Sequence, residues 1–232
     1  MPTIPPAGRP PRPLPTPAAA LAAALVGLGA LGGCVPYAVG TTADTVAPRE
    51  VQPSAALQVV SSRRDLDRGD EPRGAGLAIG NSARLGLDQR SDVGVQIVGL
   101  GSITATYKRR LTGPLESDRG TALIVGAGVV GTSHLHAEAT FVASPGALVI
   151  APQVVPYGGV RVQDLTPFGG DALNSSPAVG LFVGGRFGWA DLGVSPELGL
   201  FYSPSPLRGD RDLIIVPSVT VRGDRLRKAL GL

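Results

Sequence analysis

Most of this chain keeps a two-residue rhythm. Val179, Leu181, Val183 and Phe187 share one alternating face, as do Leu192, Val194, Leu198 and Leu200, and again Leu213, Ile215, Val219 and Val221. Ile103, Ala105 and Tyr107 alternate with Thr104, Thr106 and Lys108, and Ala137, Ala139, Phe141 and Ala143 with His136, Glu138 and Thr140. Successive side chains of a strand point to opposite faces, so this period predicts sheet and argues against the 3.6-residue stripe of an amphipathic helix. Glycine is abundant, at 33 residues, but is scattered through apolar segments rather than repeating every third position, which excludes collagen and suits a curved sheet with tight turns.

About ten strands are predicted. The first covers Ala55 to Ser62, and a charged loop follows from Arg63 to Asp70. A hairpin begins near Ala75, turns at Gln89-Arg90-Ser91 and returns through Val93, Val95 and Ile97. Thr121 to Gly131 is apolar on both faces; Ser144-Pro145-Gly146 reads as a turn before a run from Ala147 to about Gln163, broken by Pro152 and Pro156. A long polar loop is expected over 164–176, then strands over Ala178–Trp189, Leu192–Ser203 and Asp212–Arg222. The expected fold is all-β: an antiparallel up-and-down barrel, with Arg84, Lys108, Glu138, Arg186 and Glu197 on the face opposite the apolar one. In a closed sheet set in lipid those five charges line the lumen, because Arg or Lys facing lipid at mid-membrane costs about 2–4 kcal/mol.

The amino-terminal region follows a different grammar. Residues 2–17 are proline-rich with Arg9 and Arg12 as their only charges, and Ala18 to Gly33 form an uncharged apolar run too short and glycine-rich to be a good spanning helix. Leu31-Gly32-Gly33-Cys34 resembles the lipobox of bacterial lipoproteins. The resemblance implies a signal peptide over 1–33 and a lipid on Cys34, the only cysteine, as the new amino terminus; an ordinary signal peptide is the alternative. Val35 after the cysteine, in place of an aspartate, implies sorting to the outer membrane. Removing 1–33 leaves 19 basic and 18 acidic residues, so the basic balance gives no reason to expect a nucleic-acid partner. Pro36, Gly40, Thr41, Thr42, Pro48 and Pro53 lie in a stretch without apolar period, read as a flexible, lipidated tether over 34–53.

Residues 82–111, with a glycine-rich strand, an Asp-bounded turn and Tyr107-Lys108, resemble small bacterial outer-membrane β-barrel proteins, and the hairpin from Leu181 to Tyr202 has the same character. The resemblance implies a barrel over 54–222, a tail over 223–232, and a structural or narrow-passage role in the outer membrane. Aromatic residues make up only 4% of the chain, few for two interfacial girdles, and the tail carries Arg225, Arg227 and Lys228 rather than a terminal aromatic. A soluble periplasmic barrel or sandwich, held by lipid alone and binding a protein or lipid partner, is therefore the second reading.

Other motifs carry less. Gly126-Ala127-Gly128-Val129-Val130-Gly131 matches a dinucleotide fingerprint, but an alternating strand rather than a helix follows it. His134, His136 and Glu138 share a strand face without a third imidazole, which favours a lumen-lining role over a metal site. Arg68-Gly69-Asp70 and Arg208-Gly209-Asp210 read as charged turns. No catalytic constellation is recognisable, so the chain reads as non-enzymatic, with no cofactor beyond the covalent lipid, and with membrane lipid and an envelope protein as candidate partners.

Overall fold

A computed structural model describes residues 35–62, 76–115, 117–131, 134–168, 177–189, 192–204 and 211–223. No helix occurs among them. Ten strands run in sequence order: β1 (Val51–Ser62), β2 (Gly76–Gly86), β3 (Ser91–Val98), β4 (Ser102–Thr112), β5 (Gly120–Val130), β6 (His134–Ser144), β7 (Val154–Pro167), β8 (Ala178–Trp189), β9 (Leu192–Pro204) and β10 (Arg211–Arg222). Each pairs antiparallel with its sequence neighbours, and β1 pairs with β10 from Ser54↔Arg222 to Ser62↔Ile214, closing the sheet into a barrel.

The register fixes the barrel's shape. Partners can be followed once around from Gly86 through Asp92, Lys108, Ile124, Thr140, Arg161, Gly180, Phe201 and Ile214 to Ser62. Val51↔Leu85 and the bond from Gly86 N to Glu50 O set Gly86 opposite residue 50, so the circuit closes twelve residues further along β1. Ten strands with that stagger tilt by roughly 40° to the barrel axis. An eleven-residue strand at this tilt spans roughly 28 Å of height, enough for the ~25 Å apolar band of an outer-membrane barrel.

The alternation sorts the side chains as the period requires. Leu57, Val95, Ile97, Ile103, Leu123, Leu135, Phe141, Val160, Leu181, Val183, Leu198 and Val219 all lie exposed on the outer wall, with Leu181 and Val183 each more than 60% exposed. Buried polar groups occupy the inside: Gln58, Asp92, Thr104, Lys108, His136, Glu138, Thr140, Arg161, Glu197, Ser218 and Arg222. The molecule is thus oily outside and polar within, the reverse of a water-soluble domain.

Three segments differ from the sequence expectation. The first strand begins at Val51, so residues 51–53 belong to the wall. β7 is shifted: Ala147 to Gln153 form a turn, closed by bonds from Leu148 N to Val154 O and from Val154 N to Ala151 O, while 164–167 extend the strand through Ala137↔Asp164 and His136↔Leu165. Pro156 sits inside β7 because the backbone ladder with β6 has ended at Ala143↔Gly158, so no ladder bond calls for its missing N–H, while its carbonyl accepts the Ser144 hydroxyl of β6 at 3.0 Å. The glycine run 126–131 continues β5 into a turn before β6, with no helix terminus to hold a phosphate.

Candidate functional site

The lumen is the site, and residues 35–48 fill it. The run assigned to a tether connects residue 34 to the wall, but does so from inside. Tyr37, Ala38, Thr42, Ala43 and Val46 are buried, and their partners come from strands all around the barrel.

At the first end of the plug, Gln58 of β1 accepts the N–H groups of Tyr37 (3.1 Å) and Ala38 (2.9 Å) and donates to Val35 O at 2.7 Å. Arg161 of β7 donates to Tyr37 O at 3.0 Å, and the Tyr37 ring meets Phe201 of β9 edge-on with centroids 4.8 Å apart. Next, Glu197 of β9 receives Val39 N–H on one oxygen and Gly40 N–H on the other, both at 2.9 Å. Gly40 has φ +57°, and a Cβ there would collide with the Thr220 side chain of β10. Only glycine satisfies both conditions.

Lys108 of β4 then donates to Thr41 Oγ1 (3.0 Å), Thr42 O (2.8 Å) and Asp44 O, so one ammonium ties three parts of the plug. The Asp44 carboxylate receives Arg186 of β8 at 3.2 Å and Arg222 of β10 at 3.4 Å. Asp92 of β3 accepts Val46 N–H at 3.1 Å with one oxygen and Arg84 of β2 at 2.5 Å with the other. Thr45 Oγ1 donates to Gln89 O in the β2–β3 turn, and Pro48 makes a parallel bridge to Gly86. That turn is itself held by Asp88, which accepts Arg90 N–H and the Ser91 hydroxyl; the Ser91 bond, with the Arg90 one, keeps the Asp88 carboxyl below its ordinary pKa.

Charge pairing completes the filling. Glu138 of β6 lies between His136 (2.9 Å) and Arg161. The loop 113–119 folds back on the lumen mouth: Arg110 donates to the carbonyls of Thr112, Pro114, Leu115, Ser117 and Arg119, and Arg186 reaches Asp118 at 2.5 Å. A cavity of about 60 Å³ remains, of mixed polar and apolar lining, bordered by Ser54, Arg84, Glu138 and Arg161 on one hand and Ala56 and Ile124 on the other. It has room for a few water molecules and no more.

Arg84, Lys108, Glu138, Arg186 and Glu197, the five charges that the alternation turns inward, therefore all touch either the plug or a lumen partner. Sequence reasoning missed Asp44, Asp92, Arg161 and Arg222, as well as Gln58. Asp92 and Arg161 sit in phase with the inward residues of their strands and were open to the same argument. Asp44 was not, because it stands in a segment without period. His136 pairs with Glu138, and no group of three metal-binding side chains forms among the described residues. Leu31, Gly32, Gly33 and Cys34 lie outside the described residues, as do both Arg-Gly-Asp strings and residues 224–232.

No protein-family model and no curated protein matches this sequence. Among solved structures the barrel is similar to Neisserial surface protein A, at 16% identity and a TM-score of 0.36, over 75% of this chain and 95% of that one. It is also similar to the N-terminal β-barrel domain of Pseudomonas aeruginosa OprF, at 10% identity and a TM-score of 0.27, over 76% and 99% of the two chains. Ail, the attachment invasion locus protein of Yersinia pestis, aligns at 12% identity and a TM-score of 0.26 over 74% of this chain and 96% of its own.

Proposed function

We propose that this protein is a lipid-anchored outer-membrane barrel with a structural, non-catalytic role, its lumen stoppered by its own amino-terminal segment. The observation that carries the reading is the pairing of an exposed apolar outer wall with a buried, charge-matched interior. Such a wall is stable against lipid and costly against water, where each half-exposed Leu or Val forgoes roughly 1 kcal/mol of burial. The filled lumen favours the structural role over a passage, since a solute has no continuous path past Lys108, Glu138, Arg161 and the plug. Cys34, by its likeness to a lipobox cysteine, supplies the anchor, and several acyl chains on one residue make that attachment effectively permanent.

The low aromatic content, 4%, favours the second reading, a soluble periplasmic barrel tethered by lipid to the membrane and binding a protein or lipid partner. Extraction of lipid-free Cys34→Ser protein separates the two. The proposed function expects a protein that leaves the membrane fraction only with detergent and migrates on gels at a heat-dependent position. Cys34→Ser protein that stays monodisperse in buffer without detergent would overturn it.

A further inference from the structure

The plug does not simply occupy the lumen; it crosses it from one end to the other. The wall has a terminal end, where β1 starts at Val51 and β10 stops at Arg222, and a far end, where β1 stops at Ser62 and β10 starts at Arg211. Val35 packs with Val60 and Ile214 around the Tyr37–Phe201 cluster, and Val60 and Ile214 lie within three residues of the far end. Gly40 lies against Thr220, Asp44 against Arg186 and Arg222, Val46 against Asp92, and Pro48 against Gly86, all toward the terminal end. From Val35, a few residues inside the far end, the described chain therefore runs along the lumen to the terminal end and turns back into β1.

An even-stranded barrel has both wall termini on one side, and in outer-membrane barrels the short turns lie on the periplasmic side. Here the terminal end carries the short connections 87–90 and 190–191 and the longer 113–119 and 145–153, and bonds from Arg110 hold described residues of 113–119 against the mouth. The far end carries the short connections 99–101 and 131–133 together with the two longest, 63–75 and 168–177, and the orientation is taken from those two. We infer that this barrel threads its own amino terminus through the membrane and displays it, with any lipid borne on Cys34, on the outer face of the cell. The inference rests on the membrane-spanning reading above and adds a leaflet to it: the acyl chains would sit in the outer leaflet, opposite to the side on which the wall begins and ends.

The test places an epitope in the full chain at one of three positions, in three separate variants: between Cys34 and Val35, within residues 63–75, and after Leu232. Antibody binding is compared on intact cells and on cells with a permeabilised outer membrane. The expected result is equal binding on both for the first two epitopes, and binding after permeabilisation only for the third. An epitope after Cys34 that behaves like the one after Leu232, while the 63–75 epitope is open on intact cells, overturns the display. If none of the three is reached on intact cells, the spanning reading has failed and the display with it. A second measurement tells these failures apart: Ala38→Cys in a Cys34→Ser background, reacted with a soluble maleimide. Slow labelling that becomes fast on unfolding keeps the plug in the lumen even where the spanning reading fails, and labelling as fast as in unfolded protein removes the threading itself.

Discussion

Replacing Glu197 with alanine tests whether the plug is held by named bonds or merely fills space. Glu197 is 6% exposed, and its two oxygens accept the N–H groups of Val39 and Gly40 at 2.9 Å. The substitution removes both acceptors at once. Each amide left without a partner in a buried site costs about 1–3 kcal/mol, so the seated plug should lose about 2–6 kcal/mol relative to the released one. At 1.4 kcal/mol per factor of ten, even a loss of about 3 kcal/mol raises the released fraction by roughly 150-fold. Glu197→Gln keeps one carbonyl oxygen and turns an amide nitrogen toward the other donor, and should fall between alanine and the parent. The reporter is the thiol introduced by Ala38→Cys with Cys34→Ser, since Ala38 is only 6% exposed and cysteine adds little volume. Its maleimide labelling rate in detergent, where opening is fast and reversible, should rise by roughly two orders of magnitude in Glu197→Ala. A rate within threefold of the parent's would refute the reasoning, because the amides would then have found water or another acceptor at no cost.

Other expectations follow from the same geometry. Gly40→Ala and Gly40→Val should both unseat the plug, through a left-handed φ and collision with Thr220, and should raise labelling of the Ala38→Cys reporter at least as far as Glu197→Gln does. Val183→Arg places a cation at the middle of β8 on the outer wall and should cost about 2–4 kcal/mol in a denaturant titration in lipid bilayers; in a soluble domain the same exposed change would be nearly neutral. Arg161→Ala leaves the buried Glu138 carboxylate with His136 in place of a guanidinium partner and removes a donor to Tyr37, and a loss of about 3 kcal/mol is expected by the same titration. The double change Arg161→Met with Glu138→Gln removes both charges and should be milder than Arg161→Ala.

What the sequence made readable was the wall. Alternation places Leu181 and Val183 outward and Lys108 and Glu138 inward without reference to any partner, because the period of a strand is a local property. Strand ends were less legible: Asp164, Leu165 and Thr166 are too polar a run to look like sheet, and only their pairing with β6 makes them so. The plug was invisible for a different reason. Val35 to Pro48 binds largely through backbone amides and carbonyls to polar side chains of the wall, and such contacts leave no period in the plug's own sequence. Its trace lies in the wall instead. Glu197 faces Gly184 on β8 and Ser218 on β10, so the register gives this inward acid no cation beside it, and a group left over in that way calls for something in the middle.

A stopper that enters one mouth and leaves by the other sets the order of assembly. With the segment seated, about 60 Å³ of free space borders it, so plug and wall pack as one interior. The expected order is that the hairpins gather around the extended segment while the sheet is still open and the seam between β1 and β10 zips last, like a garment fastened over its wearer. Because β1 follows the plug directly in the chain, seating residues 35–48 also delivers one edge of that seam. Substitutions at Gly40 or Glu197 should consequently slow the maturation of the barrel as well as loosen the finished one.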